Sequence, residues 1–107
     1  MQPKPLRLIG LARCAGKLAC GSDAVKEAAP RARLILIAGD SGRAVRREAG
    51  RYGKRVIELS YDKEELGRAV GREKCAVAAV TDEEFSRGII AALQGEEKYP
   101  DGSPSGS

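Results

Sequence analysis

Residues 33–38, RLILIA, set five apolar side chains in succession behind one arginine. Six residues are too few for a stable helix, and an unbroken apolar run leaves no face for water. The segment reads as a strand buried on both faces, which requires covering layers on each side of its sheet. Residues 75–80, CAVAAV, repeat the pattern with small and β-branched side chains. A chain of 107 residues has room for one such sheet in one domain.

Helices are expected between the strands. Residues 6–15, LRLIGLARCA, carry apolar side chains at helical spacings, with Gly16 as a stop. Gly21-Ser22-Asp23 opens a helix to Ala29, capped by Ser22 or Asp23 and halted near Pro30. Asp40 and Ser41 are the expected caps of a helix over 42–52. Asp62 and Glu65 form a capping-box pair before DKEELGRAVG, and Thr81 or Asp82 starts EEFSRGIIAAL. Residues 17–20 and 55–60 are short strands, the second with the alternation of a sheet edge. From helix–strand alternation alone the expectation is an α/β sandwich around a mostly parallel sheet. Residues 1–5 are expected to fray, and the Gly/Ser/Pro-rich stretch 95–107 to form a disordered tail.

The charge is unevenly placed. Net charge is +4, yet residues 1–55 hold thirteen Lys and Arg against four Asp and Glu, while 56–107 hold six against eleven. A basic half suggests a polyanionic partner such as nucleic acid. Arg43, Arg47 and Arg51 share one helix face; a solvated face and an RNA contact both fit that spacing. With one Phe, three Tyr and no Trp, an aromatic base-stacking platform is not expected.

Enzyme chemistry finds little support. The chain has no His, which removes Ser-His-Asp and Cys-His catalysis and most zinc sites. Gly39-Asp40-Ser41-Gly42 spells the nucleophile loop of a serine protease, but without a base it reads as a tight turn and a helix cap. Neither nucleotide-binding glycine fingerprint is present, and the acidic groups at 62–65 and 82–84 sit at helix starts, where the dipole favours them. Cys14, Cys20 and Cys75 are odd in number and lack a C-x-x-C, so they read as small hydrophobes in a reducing cytosol; a Cys14–Cys20 bridge depends on local geometry. No catalytic residue, cofactor or metal is expected. Neither a membrane-length apolar run nor a signal-peptide h-region occurs in the sequence, and the expected location is the cytoplasm.

One stretch combines a glycine turn, lysines and a helix start: Ala15-Gly16-Lys17-Leu18-Ala19-Cys20-Gly21-Ser22-Asp23-Ala24-Val25-Lys26. Free N–H groups at such a start can hold phosphate. The order IGLARCAGKLACG, ARLILIAGDSG, KEELGRAVG and AVAAVTDEEF, over residues 6–94, resembles the YlxQ-type bacterial proteins of the ribosomal L-seven-Ae/L-thirty-e superfamily of kink-turn RNA binders. The resemblance implies a three-layer α/β/α sandwich with a four-stranded mixed sheet, and RNA binding without catalysis. Archaeal members read Gly-Thr-Asn-Glu-x-x-Lys at the helix start. Here Gly21 matches, Ser22 keeps the hydroxyl, Asp23 stands at the Asn, Ala24 at the Glu and Glu27 at the Lys, with Lys26 one position early. A carboxylate at Asp23 accepts hydrogen bonds but donates none. The family's second RNA-contacting loop corresponds to residues 71–76: Gly71 matches, and Arg72 and Lys74 bring charge. Lys17 matches a family lysine.

The expected RNA-binding set is thus Lys17, Gly21, Ser22, Asp23, Lys26, Gly71, Arg72 and Lys74. The expected partner is structured RNA, ribosomal RNA included, with no DNA preference and no membrane, bound by a monomer. A protein-interaction adaptor on the same fold, its RNA recognition lost through Asp23, Ala24 and Glu27, is the second expectation.

Overall fold

The computed structural model describes residues 2–98, the last three through their backbone alone. Five α-helices and four strands follow in the order α1 (Lys4–Cys14), β1 (Leu18–Cys20), α2 (Ser22–Ala28), β2 (Leu34–Ile37), α3 (Arg43–Arg51), β3 (Val56–Glu58), α4 (Lys63–Ala69), β4 (Val77–Val80) and α5 (Glu83–Lys98). A 3-10 turn, Ala29–Arg31, links α2 to β2.

The sheet order is β1-β4-β2-β3. β2 and β3, joined through helix α3, are parallel. β4 lies antiparallel to both β1 and β2. This corrects the mostly parallel sheet expected from alternation and matches the mixed sheet that the resemblance implied. β1 and β2 run the same way, but β4 enters between them from the far end. Nothing in the local pattern of β4 encodes that insertion.

Position in the sheet explains the composition of the strands. β2 and β4 occupy the centre, and every residue of both is buried. Leu34, Leu36, Ala78 and Val80 face one layer, with α1, α4 and α5 supplying Ile9, Leu66 and Ile89. Ile35, Ile37, Val77 and Ala79 face the other, closed by Val25 of α2 and Ala49 of α3. Each central strand therefore needs apolar side chains on both faces. The edge strand β3 ends on exposed Glu58, whose carboxylate takes 2.8 and 3.0 Å hydrogen bonds from Arg46. That pairing holds the Glu58 carboxyl below its ordinary range.

The termini of four helices depart from expectation. α1 begins at Lys4, not after a frayed 1–5, because a proline fits the first turn and Pro5 is buried. α2 is N-capped by Gly21 and α3 by Gly42, neither with a side-chain bond, instead of Ser22 or Asp23 and Asp40 or Ser41. Asp40 serves a different helix, its Oδ1 accepting from Lys63 N of α4 at 2.9 Å. Ser41 is buried and donates its hydroxyl to Ala76 O at 3.0 Å, tying the Gly39–Gly42 turn to the start of β4. The capping box of Asp62 and Glu65 forms as expected, and Asp82 accepts from Phe85 N at 2.9 Å. α5 continues past Gly95, where the tail was expected to begin. The rest of that expected tail, residues 99–107, lies outside the described residues.

Candidate nucleic-acid interface

Two segments remote in sequence meet at one end of the sheet. The first is the β1–α2 junction. Gly21 N donates to Val77 O at 3.0 Å, which fixes the junction to the start of β4. The chain then turns into α2 through φ +93° and ψ 157° at Gly21, a conformation open to glycine and few other residues. The second segment is the loop after α4. Gly71 turns it at φ +78°. Arg72 N donates to Gly67 O at 2.7 Å, and Cys75 N to Lys63 O at 2.9 Å, so the loop folds back along its own helix. A β-carbon on Gly67 would lie 2.7 Å from Lys74 Cα and 2.9 Å from Arg72 O. The missing side chain is what lets the loop sit this close.

Between the segments lies an open cleft of about 350 Å³, lined by Cys20, Gly21, Ser22, Asp23, Ala24 and Arg72. Ser22, Asp23 and Arg72 are exposed. Arg72 is in no ion pair among the described residues. The cleft thus offers a guanidinium with five donors, a hydroxyl, a carboxylate acceptor, and the first turn of a helix that no side chain caps. Such a set fits a phosphate beside a base edge better than an apolar ligand.

The expected site residues divide. Gly21, Ser22, Asp23 and Arg72 line the cleft, with Gly71 shaping the approach of Arg72. Lys26 is exposed one turn further along α2, and Lys74 is exposed where its backbone crosses Gly67. Neither lines the cleft. Lys17 is a correction. It was expected beside the Gly21 turn, but it precedes β1 while Gly21 follows it, a separation of about 13 Å at the usual strand rise. Its carbonyl accepts from Thr81 N, at the opposite end of β4 from Val77. The arginine face of α3 also lies outside the cleft: Arg43, Arg47 and Arg51 are exposed, and Arg51 stands 3.6 Å from Glu48.

Sequence reasoning missed Cys20 as a cleft residue. It is 5% exposed, and its thiol meets Cys75, not Cys14, which is exposed. The Cys75 contact pulls the Cys20 thiol down to about 7 against the opposing effect of burial, with Arg13 and Arg72 adding positive potential. The same contact and burial push the Cys75 thiol up. Its adjacency to Gly21 was the one available signal. Among the described residues no group of three or more His, Cys, Asp or Glu side chains is gathered for a metal, and no helix is long and apolar enough to cross a membrane.

No protein-family model matches the sequence. The chain is 34% identical over 91 residues to the RNA-binding protein YlxQ of Bacillus subtilis strain 168, covering 80% of this chain and 91% of that protein. A protein of unknown function from Bacillus halodurans C superposes with a TM-score of 0.74 at 29% identity, over 87% of this chain and 99% of that one. The 15.5kD RNA binding protein of Giardia lamblia shares the fold, with a TM-score of 0.63 at 18% identity over 86% and 83% of the two chains. On the extent of the first match, and with the mixed sheet and helix layers in place, the chain belongs to the YlxQ family of proteins.

Proposed function

We propose that the chain is a non-catalytic RNA-binding protein that recognises a kink-turn or a related bulged, structured RNA. The observation carrying this reading is the convergence of the Gly21–Ala24 turn and Arg72 on one open, polar cleft. A kinked stem brings phosphates together and exposes splayed bases. A rigid helix start facing a charged loop complements that shape. Two relatives add support by name, since both the Bacillus subtilis protein and the Giardia protein are called RNA-binding.

The roles follow from the chemistry. Arg72 meets phosphate with its planar fork. Ser22 and the N–H groups of the first turn of α2 reach a phosphate or a base edge. Asp23 accepts from a guanine edge, and its carboxylate favours a base over a phosphate at that point. Lys26 and Lys74 flank the cleft and supply salt-sensitive attraction. The proposal places the protein in the cytoplasm, as a monomer, with ribosomal RNA as a source of such stems. Leu11 is the sole large apolar side chain that is exposed among the described residues, which agrees with a monomer.

Calorimetric titration of a kink-turn duplex into wild type and Arg72→Ala tests the reading. Loss of one charge-assisted contact, about 1.5–3 kcal/mol, predicts at least a tenfold weaker complex. Equal affinities would overturn the assignment. Equal and weak binding of kinked and straight duplexes by wild type would favour the adaptor reading, in which Asp23 has ended RNA recognition.

A further inference from the structure

The cleft uses little of the basic half of the chain. We infer that Arg31, Arg33, Lys54 and Arg55 form a second surface, at the opposite end of the sheet, that binds RNA backbone without regard to shape or sequence. This rests on the RNA reading above but not on the cleft.

Topology gathers the four cations. Parallel β2 and β3 start side by side, with Ile35 opposite Val56 and Ile35 N donating to Arg55 O at 2.8 Å. Arg33 and Lys54-Arg55, which lead into those strands, are therefore neighbours about 5 Å apart in backbone. The 3-10 turn ending at Arg31 closes the group from the α2 side, where Lys54 Nζ donates to Pro30 O at 3.4 Å. Arg31, Arg33 and Arg55 are exposed and Lys54 is half-buried. None of the four is in an ion pair among the described residues. The nearby acids at the start of α5 belong to the other layer and are partly committed: Asp82 accepts from Phe85 N, and Glu83 pairs with Arg87 at 2.8 Å.

Placement sets the role. Gly21 is anchored to Val77 at one end of β4, and Arg33 N donates to Val80 O at the other. The patch therefore faces away from the cleft and meets a different stretch of RNA. Four like charges this close repel one another, and a phosphate backbone with its regular negative charges relieves that repulsion. The four named groups are cations and none is an aromatic stacking group, so their contribution is to affinity and to salt dependence.

Fluorescence-anisotropy titration of a straight RNA duplex over a salt series tests this directly. The triple variant Arg33→Gln/Lys54→Gln/Arg55→Gln should bind at least tenfold more weakly at low salt. Its slope of log K against log salt should be shallower by about 0.9 for each lost phosphate contact. The charge-retaining Arg33→Lys/Arg55→Lys variant should bind as wild type does. An unchanged slope in the triple variant, a comparable loss in the charge-retaining one, or no binding of straight duplex by wild type would each overturn the inference. Discrimination between kinked and straight RNA belongs to the cleft. Its absence in wild type would sink the cleft reading and leave the slope comparison fully readable.

Discussion

Arg72 Nη1 lies 3.3 Å from the position a β-carbon on Gly21 would occupy. This approach brings two segments remote in sequence to the same cleft. The cost of Gly21→Ala lies in the backbone, since the positive φ is strained for any L side chain, and the new methyl also obliges the Arg72 guanidinium to shift by a few tenths of an ångström. The expected destabilisation is about 1–3 kcal/mol, read as a lower urea midpoint at unchanged m-value. A midpoint equal to that of wild type would show that the turn relaxes freely.

Gly67 governs the other side of the cleft. Its hypothetical β-carbon meets backbone, with Lys74 N at 2.8 Å and Arg72 O at 2.9 Å, so no flexible side chain can move aside. Gly67→Ala should cost about 1–3 kcal/mol and displace the Arg72 loop. Amide hydrogen exchange should quicken at Arg72 and Cys75, whose N–H groups bond Gly67 O and Lys63 O, while β2 stays protected. Unchanged exchange at these two amides would contradict the packing argument.

The N-terminus of α4 is held by two carboxylates from different segments. Asp62 Oδ1 accepts from Glu65 N at 2.8 Å and Asp40 Oδ1 from Lys63 N at 2.9 Å. Asp62→Ala should destabilise the domain by about 1 kcal/mol, and Asp40→Ala by a comparable amount. Thermal unfolding of the single and double variants checks both. A neutral Asp40→Ala would remove that residue from the account of α4.

The thiol of Cys20 reports on the charge in the cleft. With its pKa at about 7, its thiolate fraction rises as pH increases through that value. In a Cys14→Ser background, alkylation of Cys20 by iodoacetamide should be slow in mild acid and reach half its plateau rate near pH 7. Arg72→Ala removes a positive charge that favours the thiolate, so the midpoint should move to higher pH. A midpoint at the ordinary thiol value in wild type would show that the Cys75 contact is not formed in solution.

Local chemistry made much of this legible in the sequence. Segments 33–38 and 75–80 announced strands covered on both faces, and Asp62 with Glu65 announced the start of α4. The order of strands was not legible, because β4 carries no mark of its insertion between β1 and β2. Asp40 was misassigned for a similar reason. It stands one turn before α3 in sequence, but the fold brings Lys63 N to it. At the cleft, the Gly21 turn stood out from the residues themselves, as a glycine before a helix start, whereas Arg72 was reached through family likeness. Lys17 lies away from the cleft, because a matching residue in a motif says nothing of which end of a strand its neighbours occupy. Cys20 was hidden by its own burial, since it belongs to the core and also lines the cleft.

The most direct test is the ratio of dissociation constants for a kink-turn duplex and a straight duplex of the same composition, measured on wild-type protein at physiological salt. The account predicts that the kinked RNA binds at least tenfold more tightly, and that Arg72→Ala narrows the ratio. A ratio near one for wild type would contradict it.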